Sequence, residues 1–353
     1  MSLITYLTRI HFADRILEEA LPEEIRTRAI RRPMIVTDAA GARPEVRDRL
    51  EDALPAGLEI RSHETGPAPA RTVDAEALGD AVALHECDAV IAMGGPEALD
   101  LARCLGRAPT RRNPLTLVAI PTTTAGIGLG PVASDLVRAG GGRPRTPTVI
   151  LCDPTLTAWA DAASTAEAGM DALTHCIEAY LGSAFNPPAD GIAIEGARRA
   201  LAFLERAVSD GRDIEARREI LAAALNAGLA FEKGAGGLHA VARALEREAG
   251  LSGRYGVCHA ALLPHVLGFN APAVAEKFGP LGQAMGMRPG TDLPSALAEF
   301  GVRLGLPRRL SALGLGPAAL RRAARTAAED PASGTNPRHV TEDDYLGMLE
   351  AAL

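Results

Sequence analysis

Lysine is nearly absent from this chain. Of 37 basic residues only Lys233 and Lys277 are not arginine. No basic cluster is dense enough to follow a phosphate backbone, and the net charge is −7, so nucleic acid is not an expected partner. Cysteine is also sparse. Cys87, Cys104, Cys152, Cys176 and Cys258 stand apart with no CxxC pair, and an odd, scattered count fits reduced thiols in a cytoplasm. The opening MSLITYLTRIHFADRILEE meets charge too early for a signal peptide. No uninterrupted apolar run approaches about 18 residues, so no membrane span is expected. Internal repeats and low-complexity tracts are missing as well.

What is present is a long and fairly apolar chain. Its 353 residues are too many for one ordinary core and suit two domains. An apolar content of 47% is enough to build buried cores and argues against disorder. Up to about residue 154, short apolar runs alternate with amphipathic stretches. PMIVTDAAG (33–41), the start of DAVIAMGGPEALDLARCLG (88–106), LTLVAIPTTTAG (115–126) and TPTVILCDP (146–154) read as strands. Continuous β-branched runs alternating with helices predict a parallel sheet covered on both faces. GGGRP (140–144) reads as a flexible loop. Beyond about residue 160 the strand pattern stops. Segments 163–181, 189–208, 213–231, 236–249, 258–268 and 293–304 repeat apolar residues at helical spacing, with Gly or Pro between them. The second half therefore reads as all-helical.

Two places carry chemistry. The first is the turn Met93-Gly94-Gly95-Pro96-Glu97, between a strand and a helix start, where free amides and the helix dipole attract a phosphate. Pro96 has no N–H to give, and Glu97 brings a like charge towards the anion. The plain alternative is a tight turn in which Glu97 simply favours the helix start. Asp38 ends an earlier strand, where an acid can hold a ribose hydroxyl or merely close a turn. The second place is GMDALTHCIEAY (169–180). Asp171 and His175 are four residues apart and share a helix face, a sensible pair of ligands for a divalent metal. Such a pair is also a common surface ion pair. His239 and Arg243 share a face of the helix predicted at 237–251. YGVCHAALLPHVLGFN (255–270) carries His259 and His265. His265, following Pro264, reads as a helix-start structural residue, and His339 as part of a polar tail. Three or four ligands from two or three helices would close a site between them.

With these segments lined up, the chain resembles the iron-containing alcohol dehydrogenase superfamily, and most of all its maleylacetate reductase branch. GMDALTHCIEAY, AIPTTTAG (119–126), NPPADGIAIEGARRAL (186–201), LLPHVLGFN (262–270) and NPR near 336–338 carry the resemblance, which runs over nearly the whole chain. It implies a dehydroquinate synthase-like fold. That fold has an N-terminal dinucleotide-binding α/β domain (1–154), an all-helical metal and substrate domain (155–353), an active site in the cleft between them, and a homodimer. It also implies NAD and a divalent metal, iron or zinc. Carried over residue by residue, the metal ligands fall on Asp171, His175 and, without a gap, His239; a one-gap alignment leaves Ala240 instead. The family's proton-relay histidine becomes Arg243, and the histidine of its Pro-His-Gly becomes Tyr255. His259, four residues later, matches a histidine of the reductase branch and stands as a substitute fourth ligand or a substrate-facing group. The cofactor positions fall on Asp38, Gly94, Gly95, Thr122 and Thr123. The family's GGGS loop becomes Gly94-Gly95-Pro96-Glu97, and the Ser and Glu after the threonines are lost.

Departures at the phosphate turn, the nicotinamide side and the proton relay, within an intact frame, suggest a changed reaction. The main expectation is a non-redox transformation of a small carbonyl or carboxylate (isomerisation, dehydration, cyclisation or addition), with Arg243, Tyr255 and His259 as the catalytic groups. Arg243 would clamp a carboxylate or steady an enolate, since a guanidinium cannot relay a proton. The second reading is a working NAD(H)-dependent reductase or alcohol dehydrogenase. The third is a non-catalytic binding protein. A small molecule is the expected partner throughout, with no nucleic acid and no membrane.

Overall fold

The structure is a computed structural model of the chain and describes residues 8–66, 72–105, 115–125, 127, 129, 144–249 and 255–353. Gly126, Gly128, Arg254 and residues 140–143 of the glycine-rich loop lie outside these. Contacts divide the chain into two compact units: Thr5–Ala160 with Arg212–Leu221, and Asp161–Gly211 with Ala222–Leu353. The sequence boundary expected at 154/155 falls at the short 3-10 turn Pro154–Trp159.

In the first unit the described strands are β1 (Arg9–Phe12), β2 (Pro33–Thr37), β3 (Arg61–Glu64), β4 (Ala89–Gly94), β5 (Thr116–Pro121) and β6 (Val149–Cys152). They form one sheet in the order β1-β6-β5-β4-β2-β3, with every pairing parallel. The runs PMIVT, AVIAMG, TLVAIP and VILC are buried on both faces, which is why they read as unbroken apolar stretches. The edge strands RIHF and RSHE are short and partly exposed. Around the sheet run α1 (Leu17–Thr27), α2 (Pro44–Ala53), α3 (Thr72–Leu84) and α4 (Pro96–Arg103). Leu17, Leu21 and Ile25 of α1, with Val46 and Leu50 of α2, join Ile35, Ile91, Met93, Val118, Ile120 and Leu151 in one core. The parallel α/β architecture expected from the sequence is present.

The helices that follow are α5 (Ala162–Leu181), α6 (Pro187–Ser209), α7 (Ile214–Ala230), α8 (Gly237–Ala249), α9 (Tyr255–Ala284), α10 (Leu293–Arg303), α11 (Pro317–Ala328) and α12 (Glu342–Ala351). Helix α5 opens on an N-cap, the Asp161 carboxylate accepting from Ser164 N at 2.8 Å. Its far end is closed by the chain's two lysines. Lys233 Nζ donates to Tyr180 O at 3.2 Å and pairs with Asp190; Lys277 Nζ donates to Tyr180 O, Leu181 O and Gly182 O at 3.0–3.4 Å. Both cations thus sit where the last carbonyls and the helix dipole are negative. Helix α9 extends well past the 258–268 expected from sequence and contains Pro264, Pro272 and Pro280; it kinks at Val274, two residues after Pro272. His265 is therefore a mid-helix residue, not a helix start. By length and composition α9 could cross a membrane. Yet Val257, Leu262, Leu263, Val266, Leu267 and Leu281 are buried in the protein, as in a core helix. The segment read as a polar tail beyond His339 folds into α12, opened by a Thr341/Asp344 capping box.

Candidate metal centre and nucleotide turn

Strand order reverses between β2 and β4, and the crevice beyond the carboxyl ends at such a point is the usual ligand position in an open α/β sheet. Asp38 leaves β2 there, and Gly94-Gly95 link β4 to α4. The buried Asp38 carboxylate ties the two turns together. Its Oδ1 accepts from Ala40 N and Gly41 N at 3.0 Å, and its Oδ2 from Gly95 N at 2.7 Å and Ala98 N at 3.3 Å. Two amides at the start of α4, which would otherwise face an anion, are thus met by the protein's own carboxylate. Glu97, next to them, has its pKa raised by burial first and by the Asp38 charge second. Thr122 N donates to Gly94 O at 2.9 Å, while Thr122 Oγ1 is buried with no partner among the described residues. Among the described residues Thr123 Oγ1 bonds locally, to Ala125. A glycine turn at the switch point with an orphaned buried hydroxyl fits a dinucleotide, although fewer free amides remain for its pyrophosphate.

In the helical unit, α5, α8 and α9 bring Asp171, His175, His239 and His259 together. Hydrogen-bond partners assign each imidazole tautomer. His175 Nδ1 lies 3.0 Å from Asp171 O, a pure acceptor, so Nδ1 carries the proton. His239 Nδ1 bonds to Glu178 Oε2. Thr174 Oγ1 donates its one proton to Asp171 O at 2.9 Å and must accept from His259 Nδ1 at 2.9 Å. The same Nδ1 faces Asp171 Oδ1 at 3.1 Å. All three rings therefore leave Nε2 unprotonated. Among the described residues those of His175 and His259 are buried without a hydrogen-bond partner, whereas that of His239 accepts from His175 Nδ1 at 3.1 Å and lies 3.8 Å from Asp171 Oδ1.

One donor atom from each of Asp171, His175 and His239 lies within 4.8 Å of the others. A carboxylate and imidazoles buried this close together, with unpartnered Nε2 atoms on His175 and His259 among the described residues, fit a divalent cation such as Fe(II) or Zn(II). Electrostatics agree. Burial presses His175 downward, and burial followed by the two other imidazoles presses His239 well below the ordinary histidine value, so the rings stay neutral. Burial opposes charge on Asp171, but His175 and the hydrogen bond from His259 hold its carboxyl well below the usual range.

The remaining candidates flank this cluster. Arg243, one turn beyond His239, is engaged by Asp330 through Nε at 3.1 Å and Nη2 at 2.6 Å. The Tyr255 hydroxyl donates to Glu246, and burial, then the Glu246 charge, raise its pKa. The Tyr255 and His259 rings are 6.3 Å apart. His339 is exposed. Two residues escaped the sequence reading. Thr174 orients His259, and Glu178 holds the start of α8 and His239. The signal for Glu178 was its place seven residues after Asp171, two turns along the same helix face.

The family models for iron-containing alcohol dehydrogenase match residues 8–133, and those for the C-terminal part of the Fe-containing alcohol dehydrogenase family match 165–353. The chain belongs to the iron-containing alcohol dehydrogenase family. A 4-hydroxybutyrate dehydrogenase from Cupriavidus necator is 34% identical over 389 residues, covering all of both chains. An NAD-dependent methanol dehydrogenase from Bacillus methanolicus is 29% identical over 358 residues, covering 92% of each. A crystal structure of maleylacetate reductase from Agrobacterium tumefaciens shares the fold, with a TM-score of 0.81 at 24% identity, covering 100% of this chain and 99% of the other. Family members of this kind are enzymes acting on small molecules.

Proposed function

We propose that this family member is a metal- and nicotinamide-dependent oxidoreductase that interconverts a small alcohol and its carbonyl compound. The observation that carries the reading is the buried cluster in which one donor atom from each of Asp171, His175 and His239 lies within 4.8 Å of the others, with the Nε2 atoms of His175 and His259 unpartnered among the described residues. The non-redox transformation expected from the altered loops gains no support, since the relatives above are named as dehydrogenases and a reductase.

In this reading Asp171, His175 and His239 hold the divalent metal, whose chemistry when bound is polarisation of an alcohol or carbonyl oxygen. The turn of Asp38, Gly94, Gly95, Thr122 and Thr123 holds the dinucleotide, whose bound nicotinamide supplies the hydride acceptor or donor. Alcohol oxidation releases a hydride and a proton. His259, with its Nδ1–H fixed by Thr174 and Asp171, keeps Nε2 as the free base that takes the proton and returns it in the reverse direction. Arg243 is committed to Asp330 through two hydrogen bonds, so it positions that segment rather than relaying protons.

The test is reconstitution of metal-free protein with Fe(II), Zn(II) or Co(II), followed by NADH formation from a panel of primary alcohols and ω-hydroxy acids. Metal-dependent turnover that disappears in Asp171→Ala is expected. Absence of any NADH binding at millimolar concentration, in protein that carries its metal, would refute the redox reading.

A further inference from the structure

One buried carboxylate beside the metal centre remains without a part in the chemistry above. Glu178 sits on α5 two turns past Asp171 and is almost wholly buried. Its Oε1 accepts from Leu238 N at 2.7 Å, and its Oε2 from His239 N at 3.3 Å and from His239 Nδ1. It thus does two things at once. It satisfies amides at the first turn of α8, where a carboxylate also complements the helix dipole. It also fixes the ring of His239, with the proton on Nδ1 and the lone pair of Nε2 turned towards His175 and Asp171. Gly236 allows this approach, because a Cβ there would overlap Oε1 and lie 2.9 Å from the Glu178 carboxyl carbon.

We infer that Glu178 is the positioning residue of the metal centre, acting through the Nδ1 of His239 to set its tautomer and orientation. The inference rests on the metal-dependent reading above. One helix then provides two donors, Asp171 and His175, and also orients the third. A carboxylate on the outer nitrogen raises the basicity of the coordinating one, and removing such a partner typically weakens metal affinity by about 10–100-fold. In Glu178→Gln the side chain keeps its size and an oxygen for Leu238 N. Its amide NH2, however, can face Nδ1 only if the imidazole proton moves to Nε2, where it blocks coordination.

The test measures Zn(II) affinity by chelator competition, the visible spectrum of the Co(II)-loaded protein, and the thermal midpoint of the metal-free protein. Asn336→Ala serves as the structural control: it removes the acceptor for Gly237 N (3.1 Å) at the same helix start but touches no donor. Glu178→Gln is expected to weaken Zn(II) binding about 10–100-fold and change the Co(II) spectrum, while Asn336→Ala lowers the midpoint and leaves affinity alone. If Glu178→Gln does not fold, Gly236→Ala, which displaces the carboxylate without removing it, is expected to weaken binding in the same direction. Wild-type affinity in a folded Glu178→Gln overturns the inference, and so does an equal loss in Asn336→Ala. A wild-type protein that binds no Zn(II) overturns the metal reading itself, and this inference with it.

Discussion

The contact that holds α9, and with it His259, against α5 can be tested with one methyl group. Gly256 opens α9, and a Cβ built there lies 2.5 Å from the carbonyl carbon and 2.7 Å from the Cα of Glu167 on α5, overlapping the carbonyl oxygen between them. Carbon–carbon contacts settle at about 3.5–4.0 Å, so the two helices must part by roughly 1 Å. These obstacles are backbone atoms and cannot rotate away. Overpacking of this kind costs about 1–3 kcal/mol. For a unit of this size that lowers the thermal midpoint by roughly 2–12 °C. His259 stands one turn further along α9, so its bonds to Thr174 and Asp171 should lengthen and metal affinity should fall as well. The same helix supplies the control. Gly268 is exposed, and a Cβ there meets nothing within 4 Å. Gly268→Ala should therefore stabilise by about 0.5–1 kcal/mol through helix propensity alone. Thermal unfolding of the two metal-free variants beside wild type decides the matter. Midpoints moving the same way, or Gly256→Ala within about 1 °C of wild type, would refute the reasoning.

Other expectations follow from single contacts. Asp38→Ala leaves the amides of Gly41 and Gly95 without their buried acceptor, which should cost about 1–3 kcal/mol in denaturant titration and weaken NADH binding by fluorescence; unchanged stability would show that water replaces the carboxylate. Asp161→Ala removes the cap of α5 and should cost about 1 kcal/mol at neutral pH. The Ser164 amide lowers the pKa of Asp161, so its contribution is present above the ordinary aspartate pKa and is lost as pH falls through the lowered folded value. The gap in midpoint between wild type and variant should hold from about pH 5 to 8 and close below about pH 4; a gap that widens in acid would contradict the assignment. Lys277→Met uncovers the carbonyls of Leu181 and Gly182, leaving Tyr180 O to Lys233, and should raise amide hydrogen exchange at the end of α5 before it lowers the global midpoint.

The central strands were legible because both faces of the sheet are covered, so β2, β4, β5 and β6 had to be continuously apolar. β1 and β3 escaped notice because edge strands with one wet side can be RIHF or RSHE. The long helix α9 was read too short because its prolines look like stops, whereas Pro264 lies inside it and Pro272 only bends it. In the candidate centre, Asp171 and His175 showed themselves through i,i+4 spacing on one helix. The partners of Asp38, Arg243 and Glu178 lie 57, 87 and 60 residues away along the chain. No local pattern reveals that an acid will face a distant turn or a particular imidazole, so the carboxylates that hold the site emerged only with tertiary structure.

The two lysines at the end of α5 have a practical consequence. Succinimidyl esters and aldehyde-coated surfaces are attacked by free side-chain amines, and this chain offers only two. Lys233 is buried against Asp190, and Lys277 is partly buried with its ammonium spread over three carbonyls. Acylation of the buried Lys233 requires the end of α5 to open, two residues beyond Glu178. The rate of Lys233 acylation, followed by mass spectrometry, therefore becomes a clock for local opening beside the candidate metal centre, with no probe added to the protein beforehand.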